Sequence, residues 1–189
     1  MSTHFVYLVN SFLIFTIILS SSINCLTLAE TNAAVTDKLI QRICNETRKP
    51  SLCLKNLNPL KGKSLHENPI AILGGNSMNE AQSRANRTVD LVWSHYRSVS
   101  VHKPEIRVKY YNCFLSYKAV INQLKEAKRH MSGGAGSFVK KYVAAAADRV
   151  SSCDRELMKP PRGESTVLDA NGYLKDLCSI ILAICKNVS

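Results

Sequence analysis

Any chemistry in this chain of 189 residues would have to come from its seven cysteines, its five histidines and its Asn-X-Ser/Thr triplets. His66, His95, His102 and His130 share no spacing with a nucleophile and read as surface or capping residues. The chain contains no G-x-S-x-G elbow, no H-E-x-x-H helix and no phosphate-binding loop, so no catalytic constellation is expected. No Cys-x-x-Cys or His-paired spacing favours a metal, and no cofactor is expected. What the cysteines can do is crosslink. Cys25 falls in or beside an N-terminal apolar stretch, which leaves Cys44, Cys53, Cys113, Cys153, Cys178 and Cys185, with many pairings open on paper. On one helix, Cys178 and Cys185 would stand about 10.5 Å apart along the axis, beyond the roughly 7 Å that a disulfide spans, so they do not pair there. Cys44 and Cys53 bracket "NETRKPSL", where Pro50 can start a second short helix and bring the two sulfurs together. The triplets Asn45-Glu46-Thr47, Asn86-Arg87-Thr88 and Asn187-Val188-Ser189 are glycosylation sequons. Asn86 is the preferred acceptor and Asn45 a second one, while Asn187 lies too near the C-terminus.

These readings depend on compartment. Residues 5–19, "FVYLVNSFLIFTIIL", are apolar and the small residues Ser20–Ser22 follow, the pattern of a signal peptide over residues 1–25 with cleavage between Ser22 and Ala29. The basic n-region is weak, since Lys38 is the first Lys or Arg, and a membrane anchor is the rival reading. No membrane association is expected after cleavage. Residues 1–25 carry no Lys, Arg, Asp or Glu, so the whole formal charge of +11 belongs to the remainder. In a secreted setting such a charge points to acidic partners: anionic polysaccharide, anionic membrane, or an enzyme that works on either. Nucleic acid is disfavoured, because neither zinc-finger spacing nor an aromatic-basic ribonucleoprotein motif occurs.

The elements that must hold these residues are helical. Ile106, Tyr110, Cys113, Tyr117, Val120, Leu124, Ala127 and Met131 recur at spacings of 4 and 3. After the breaker "SGGAGS" at 132–137, Val139, Val143, Ala146, Val150, Cys153 and Leu157 repeat the pattern until "KPPRG" at 159–163. Leu174, Leu177, Cys178, Ile181, Ile184, Cys185 and Val188 make a third seam, and Ala81, Ala85, Thr88, Val92, Tyr96 and Val99 a weaker fourth. Short breakers between amphipathic helices predict an all-α, antiparallel four-helix bundle over 68–188, preceded by a disulfide-closed helical hairpin over 34–62. Cys113 and Cys153 lie on facing apolar seams, and a bridge there would close a loop of 40 residues.

"LIQRICNETRKPSLCLKNL", "YYNCFLSYKAVINQLKEAKRHM", "YVAAAADRVSSCDRELMKPP" and "LKDLCSIILAI", in this order, resemble the plant pectin methylesterase and invertase inhibitor family. The most specific element is I-C-x-x-T-x-x-P-x-x-C at Ile43, Cys44, Thr47, Pro50 and Cys53. C-x-x-x-Y at Cys113 and Tyr117 supports it, as does A-x-x-D-x-x-x-x-C at Ala145, Asp148 and Cys153. The resemblance implies disulfides Cys44–Cys53 and Cys113–Cys153. It implies an unpaired cysteine at Cys178, which on the apolar seam is expected to be buried and inert; Cys185 is an addition that can stay a thiol or bridge to another chain. It further implies a non-catalytic, secreted inhibitor of the apoplast that caps the active-site cleft of a wall carbohydrate enzyme. Invertase inhibitors of the family typically carry Pro-Lys-Phe in the loop that here reads "GGAGSF", so pectin methylesterase is the expected partner and acid invertase the alternative. Direct binding of acidic pectin is a reading of a different class. The expected enzyme-facing stripe flanks Cys113 and Cys153: Leu115, Lys118, Ala119, Asn122 and Lys125 on one helix, Asp148, Ser152, Arg155 and Glu156 on the next. Family members often place carboxylates here, where this chain has Leu115, Ala119, Asn122 and Arg155.

Overall fold

The computed structural model describes residues 34–63, 68–132 and 135–186. The expected leader, His66, Asn187 and Val188 lie outside the described residues. Six α-helices follow in order: α1 (Asp37–Asn45), α2 (Pro50–Leu57), α3 (Pro69–Ser98), α4 (Pro104–Ser132), α5 (Gly136–Met158) and α6 (Ser165–Lys186). Helix starts follow local chemistry. The Thr36 hydroxyl caps α1 by accepting from the Leu39 amide at 3.2 Å, and the Asn68 side chain caps α3 by accepting from the Ile70 amide at 2.9 Å. Pro50 and Pro69 open α2 and α3, where a missing N–H costs nothing. The breaker is narrower than "SGGAGS", since α4 runs through Ser132 and α5 begins at Gly136.

Helices α3 to α6 form the antiparallel four-helix bundle: α4 packs between α3 and α5, and α6 closes the ring against both. The four seams are its core. Tyr110, Tyr117, Leu124, Val150, Leu157, Leu174, Leu177 and Ile181 are all buried. The Cys113–Cys153 disulfide joins α4 to α5 with the Cα atoms 4.7 Å apart. Helix α3 begins well before its legible seam, because its first turns pack Ile70, Leu73 and Met78 into the bundle end. There Gly74 lets Met131 approach closely: a Cβ would stand 3.0 Å from its thioether, which would have to shift to admit a side chain. The hairpin α1–α2 lies against α6 and the start of α3. Its two ends are tied by hydrogen bonds between Val35 and Lys63 and between Gly62 and Val35, Gly62 taking a φ of +76°. No described helix is long and apolar enough to cross a membrane.

Candidate functional site

The hairpin turn is built from the residues that make its sequence conspicuous. Cys44 and Cys53 are bonded across the two helices with Cα atoms 5.3 Å apart. The buried Thr47 hydroxyl donates to the Cys44 carbonyl at 2.7 Å, closing the end of α1. Arg48 and Lys49 reach away from the hairpin to Asp176 on α6, at 3.9 and 3.0 Å, and Asp176 is only 3% exposed. The Ser179 hydroxyl accepts from the Arg48 amide at 3.3 Å. The basic pair between the two cysteines is thus one attachment of the hairpin to the bundle, beside the Glu46–Lys186 ion pair at 2.7 Å. Asn45 is exposed at the last position of α1, and Asn86 is exposed on α3.

The bundle behind it is pinned by buried polar groups. Tyr117 donates its hydroxyl to the Asn171 carbonyl oxygen at 2.6 Å, the Asn171 amide donates to Asp154 at 2.6 Å, and Lys175 pairs with the other Asp154 oxygen. Burial pushes the Tyr117 hydroxyl well above the usual phenol range, so it stays a donor. This chain of contacts joins α4, α5 and α6 beside the Cys113–Cys153 bridge. Lys109 donates to the carbonyls of Lys159, Pro160 and Pro161 at 2.7 to 3.0 Å, fixing the connector from α5 to α6. Sequence reasoning missed Lys109, Asp154, Asn171 and Asp176. For Asn171 a signal existed: it stands three residues before Leu174 on the apolar seam, where a polar residue needs a partner.

Of the expected stripe, Leu115 is 49% exposed, and Lys118, Asn122 and Lys125 are exposed on the outer face of α4, with Ala119 half-buried. On α5, Asp148 and Arg155 are exposed, and Ser152 and Glu156 are half-buried. The disulfide sets the register, placing Lys118 and Asp148 at one height, each five residues from its cysteine. Arg155 donates to the Ser152 hydroxyl at 2.8 Å, and that hydroxyl donates to the Asp148 carbonyl at 3.0 Å. The Lys159 ammonium, 2.7 Å from Glu156, holds the Glu156 carboxyl below the usual range, so it stays ionised in mild acid. Lys118 turns from α5 toward α3: its Nζ lies 6.0 Å from the Phe114 ring, which touches Trp93. Lys118 therefore sits at the α3 edge of the α4 arm, while Arg155, Ser152 and Asp148 are linked to one another along α5.

His95 and His130 make ring contacts. His95 stacks on Tyr110 with centroids 5.3 Å apart, and His130 stacks on Phe138 at 4.8 Å and Tyr142 at 5.4 Å. His95 and His102 line an open cleft with Lys103, Tyr110 and Arg162 where α3 turns into α4, and the Thr166 hydroxyl lies 3.4 Å from His95 Nε2. No group of three metal-ligating side chains occurs among the described residues. Cys178 and Cys185 stand outside both disulfides and are buried. Burial pushes the Cys178 thiol up to about 12, so it is not a nucleophile.

The comparisons with known proteins bear on this arrangement. The family model described as plant invertase/pectin methylesterase inhibitor matches residues 38–184, from the hairpin through α6. The chain is 30% identical over 146 residues to a pectinesterase inhibitor of Actinidia deliciosa, covering 77% of each chain. It is 29% identical over 164 residues to pectinesterase inhibitor 1 of Arabidopsis thaliana, covering 87% of this chain and 90% of the relative. Among solved structures, it superposes on a pectin methylesterase inhibitor from Arabidopsis thaliana with a TM-score of 0.61 at 27% identity, over 79% of this chain and 95% of that one. A mutant form of such an inhibitor from Arabidopsis gives a TM-score of 0.68 at 27% identity, over 78% and 95%. Since the family model spans both the bridged hairpin and the whole bundle that holds the stripe, this chain belongs to the plant invertase/pectin methylesterase inhibitor family.

Proposed function

We propose that this protein is a secreted inhibitor of pectin methylesterase that works in the apoplast. It caps the enzyme's active-site cleft in a non-covalent stoichiometric complex and so limits pectin de-esterification. The observation that carries the reading is the likeness to pectinesterase inhibitors, which runs through hairpin and bundle together. The mechanism needs no chemistry from the inhibitor. A platform of α4 and α5, fixed by Cys113–Cys153 and the Tyr117–Asn171–Asp154 contacts, loses little freedom on docking, and a smaller ordering cost leaves more free energy for binding. The proposed enzyme-facing residues are Leu115, Lys118, Ala119, Asn122 and Lys125 with Asp148, Ser152, Arg155 and Glu156. The cations would meet acid on the enzyme, with Leu115 as an apolar contact within a polar rim. Asn86 and Asn45, both exposed, are the proposed glycan acceptors.

Acid invertase is the second reading, because the family name covers both targets. The loop after α4 has neither Pro nor Lys before Phe138, and Phe138 is engaged with His130, which favours the esterase. The test is a pair of titrations of the purified mature chain in mild acid, one against pectin methylesterase and one against acid invertase. Loss of esterase activity saturating near equimolar ratio, with invertase unaffected, is the expected result. Invertase inhibition with the esterase untouched would reverse the assignment.

A further inference from the structure

An aromatic ridge on the α3 side of the bundle overlaps the proposed enzyme-facing stripe only at Lys118 and Lys125. On the flank of α4 toward α3, Arg107, Tyr111, Phe114, Lys118, Ile121 and Lys125 recur at spacings of 4, 3, 4, 3 and 4, a second ridge beside the core seam. It extends about 27 Å along the helix. Trp93 and Tyr96 of α3 join it. Trp93 stacks on Tyr96 at 4.8 Å and meets Phe114 at 4.8 Å, while Tyr111 lies 5.8 Å from Tyr96 and 6.4 Å from Phe114. Two cations are set on these rings: the Arg107 guanidinium is 4.7 Å above Tyr96, and the Lys118 ammonium is 6.0 Å from Phe114. Tyr111 is 43% exposed, and Trp93, Tyr96 and Phe114 are each partly open.

Rings packed only to fill a helix seam would not need charges interleaved along them. An aromatic face next to a cation suits a ligand that has an apolar face and an anionic edge. Asp90 is the acid that α3 adds beside the ridge, and Arg97 on the same side offsets it. From these placements we infer that the α3–α4 ridge is a docking track for an acidic oligosaccharide, a linear uronate oligomer. The C–H faces of its pyranose rings lie on Tyr111, Phe114 and Trp93, and its carboxylates meet Arg107, Lys118 and Lys125. The cations serve as charge-assisted hydrogen-bond donors, and the rings supply contact area at low entropic cost. Because Lys118 and Lys125 also belong to the proposed enzyme-facing stripe, the track runs along the edge of that surface. The inference stands on the ridge itself and holds whether or not the esterase is the target.

Trp93 is the chain's single tryptophan, so its emission reads the site directly. The purified mature chain is titrated with a de-esterified uronate oligomer, with the methyl-esterified oligomer, and with polyglutamate of matched charge. Affinity is followed by calorimetry and Trp93 emission together. The expected result is saturable binding of the de-esterified oligomer with a shift in Trp93 emission, weakened roughly tenfold by Tyr111→Ala and by Arg107→Gln. Lys55→Gln, on the exposed face of the hairpin, should leave it unchanged. If Tyr111→Ala fails to fold, the pair Arg107→Gln and Lys118→Gln makes the same test. Four results overturn the inference: no binding, silent emission, equal binding of polyglutamate, or equal weakening by Lys55→Gln. Loss of enzyme inhibition in the ridge variants with oligomer binding intact would instead make the ridge a protein-docking face. Since the readout is oligomer binding, failure here is separate from failure of the inhibitor reading.

Discussion

Asn171 is a polar residue placed where the period of α6 calls for an apolar one, and its amide spends both ends inside the bundle, on Tyr117 and Asp154. A leucine there would have the right hydrophobicity and leave a buried carboxylate and a buried phenol each short of a partner. Asn171→Leu should therefore cost roughly 2–4 kcal/mol of stability, read by chemical denaturation. Lys175→Met removes the cation from Asp154 at a more accessible point and should cost less, about 1–3 kcal/mol. Cys178 makes a prediction of the opposite kind. Its thiol is raised from the ordinary 9.0 to about 12 in the fold because burial desolvates the thiolate. The unfolded chain can ionise there while the folded one cannot, so the contribution is intact below 9 and stability falls as pH rises from 9 toward 12. Cys178→Ser, which hardly ionises in either state, should flatten that alkaline decline in thermal melts. In the native protein at pH 8, Cys178 should resist alkylation for as long as the chain stays folded.

At the scale of elements, the four seams were legible because heptad spacing and the breakers "SGGAGS" and "KPPRG" need no knowledge of neighbours. Their buried faces are the ones the structure packs. The first turns of α3 were not legible, since Gly74, Gly75, Asn76 and Ser77 look like a loop until Met131 is known to press on Gly74. The same holds for Arg48 and Lys49: a short basic run reads as a solvated turn, and only the fold brings Asp176 beneath it. The stripe residues were legible as exposed positions, but the turn of Lys118 toward Phe114 depends on which helix neighbours α4. The disulfides carry a prediction of their own. Loop-closure entropy scales with the logarithm of loop length, so the 40-residue loop of Cys113–Cys153 contributes about 4 kcal/mol and the 9-residue loop of Cys44–Cys53 about 2.6 kcal/mol. Replacing each pair by alanines should lower the melting temperature in that order. Loss of the hairpin bridge should also speed proteolysis between Asn45 and Pro50 while the bundle stays resistant.

For the whole molecule the governing quantity is charge. A formal +11 gives a field that draws any acidic partner and by itself does not distinguish one from another. Discrimination must come from cations held in place, and on the proposed enzyme-facing side these are Lys118 at its aromatic ring and Arg155 on Ser152. Reversing both, Lys118→Glu with Arg155→Glu, should slow association with the esterase about tenfold at low salt and far less above 0.5 M, where the screening length falls to roughly 4 Å. A control with Lys38→Glu and Lys55→Glu makes the same change in net charge on exposed hairpin residues. If the stripe is the interface, stopped-flow association should respond strongly to the first pair and weakly to the second. Equal slowing by both would mean that the field alone steers the encounter and that the stripe has no special part. The dissociation rate adds the other half of the argument. Contacts desolvated in the complex slow dissociation, whereas a distant field acts on association, so a faster dissociation in the first pair alone would place those two cations inside the bound surface.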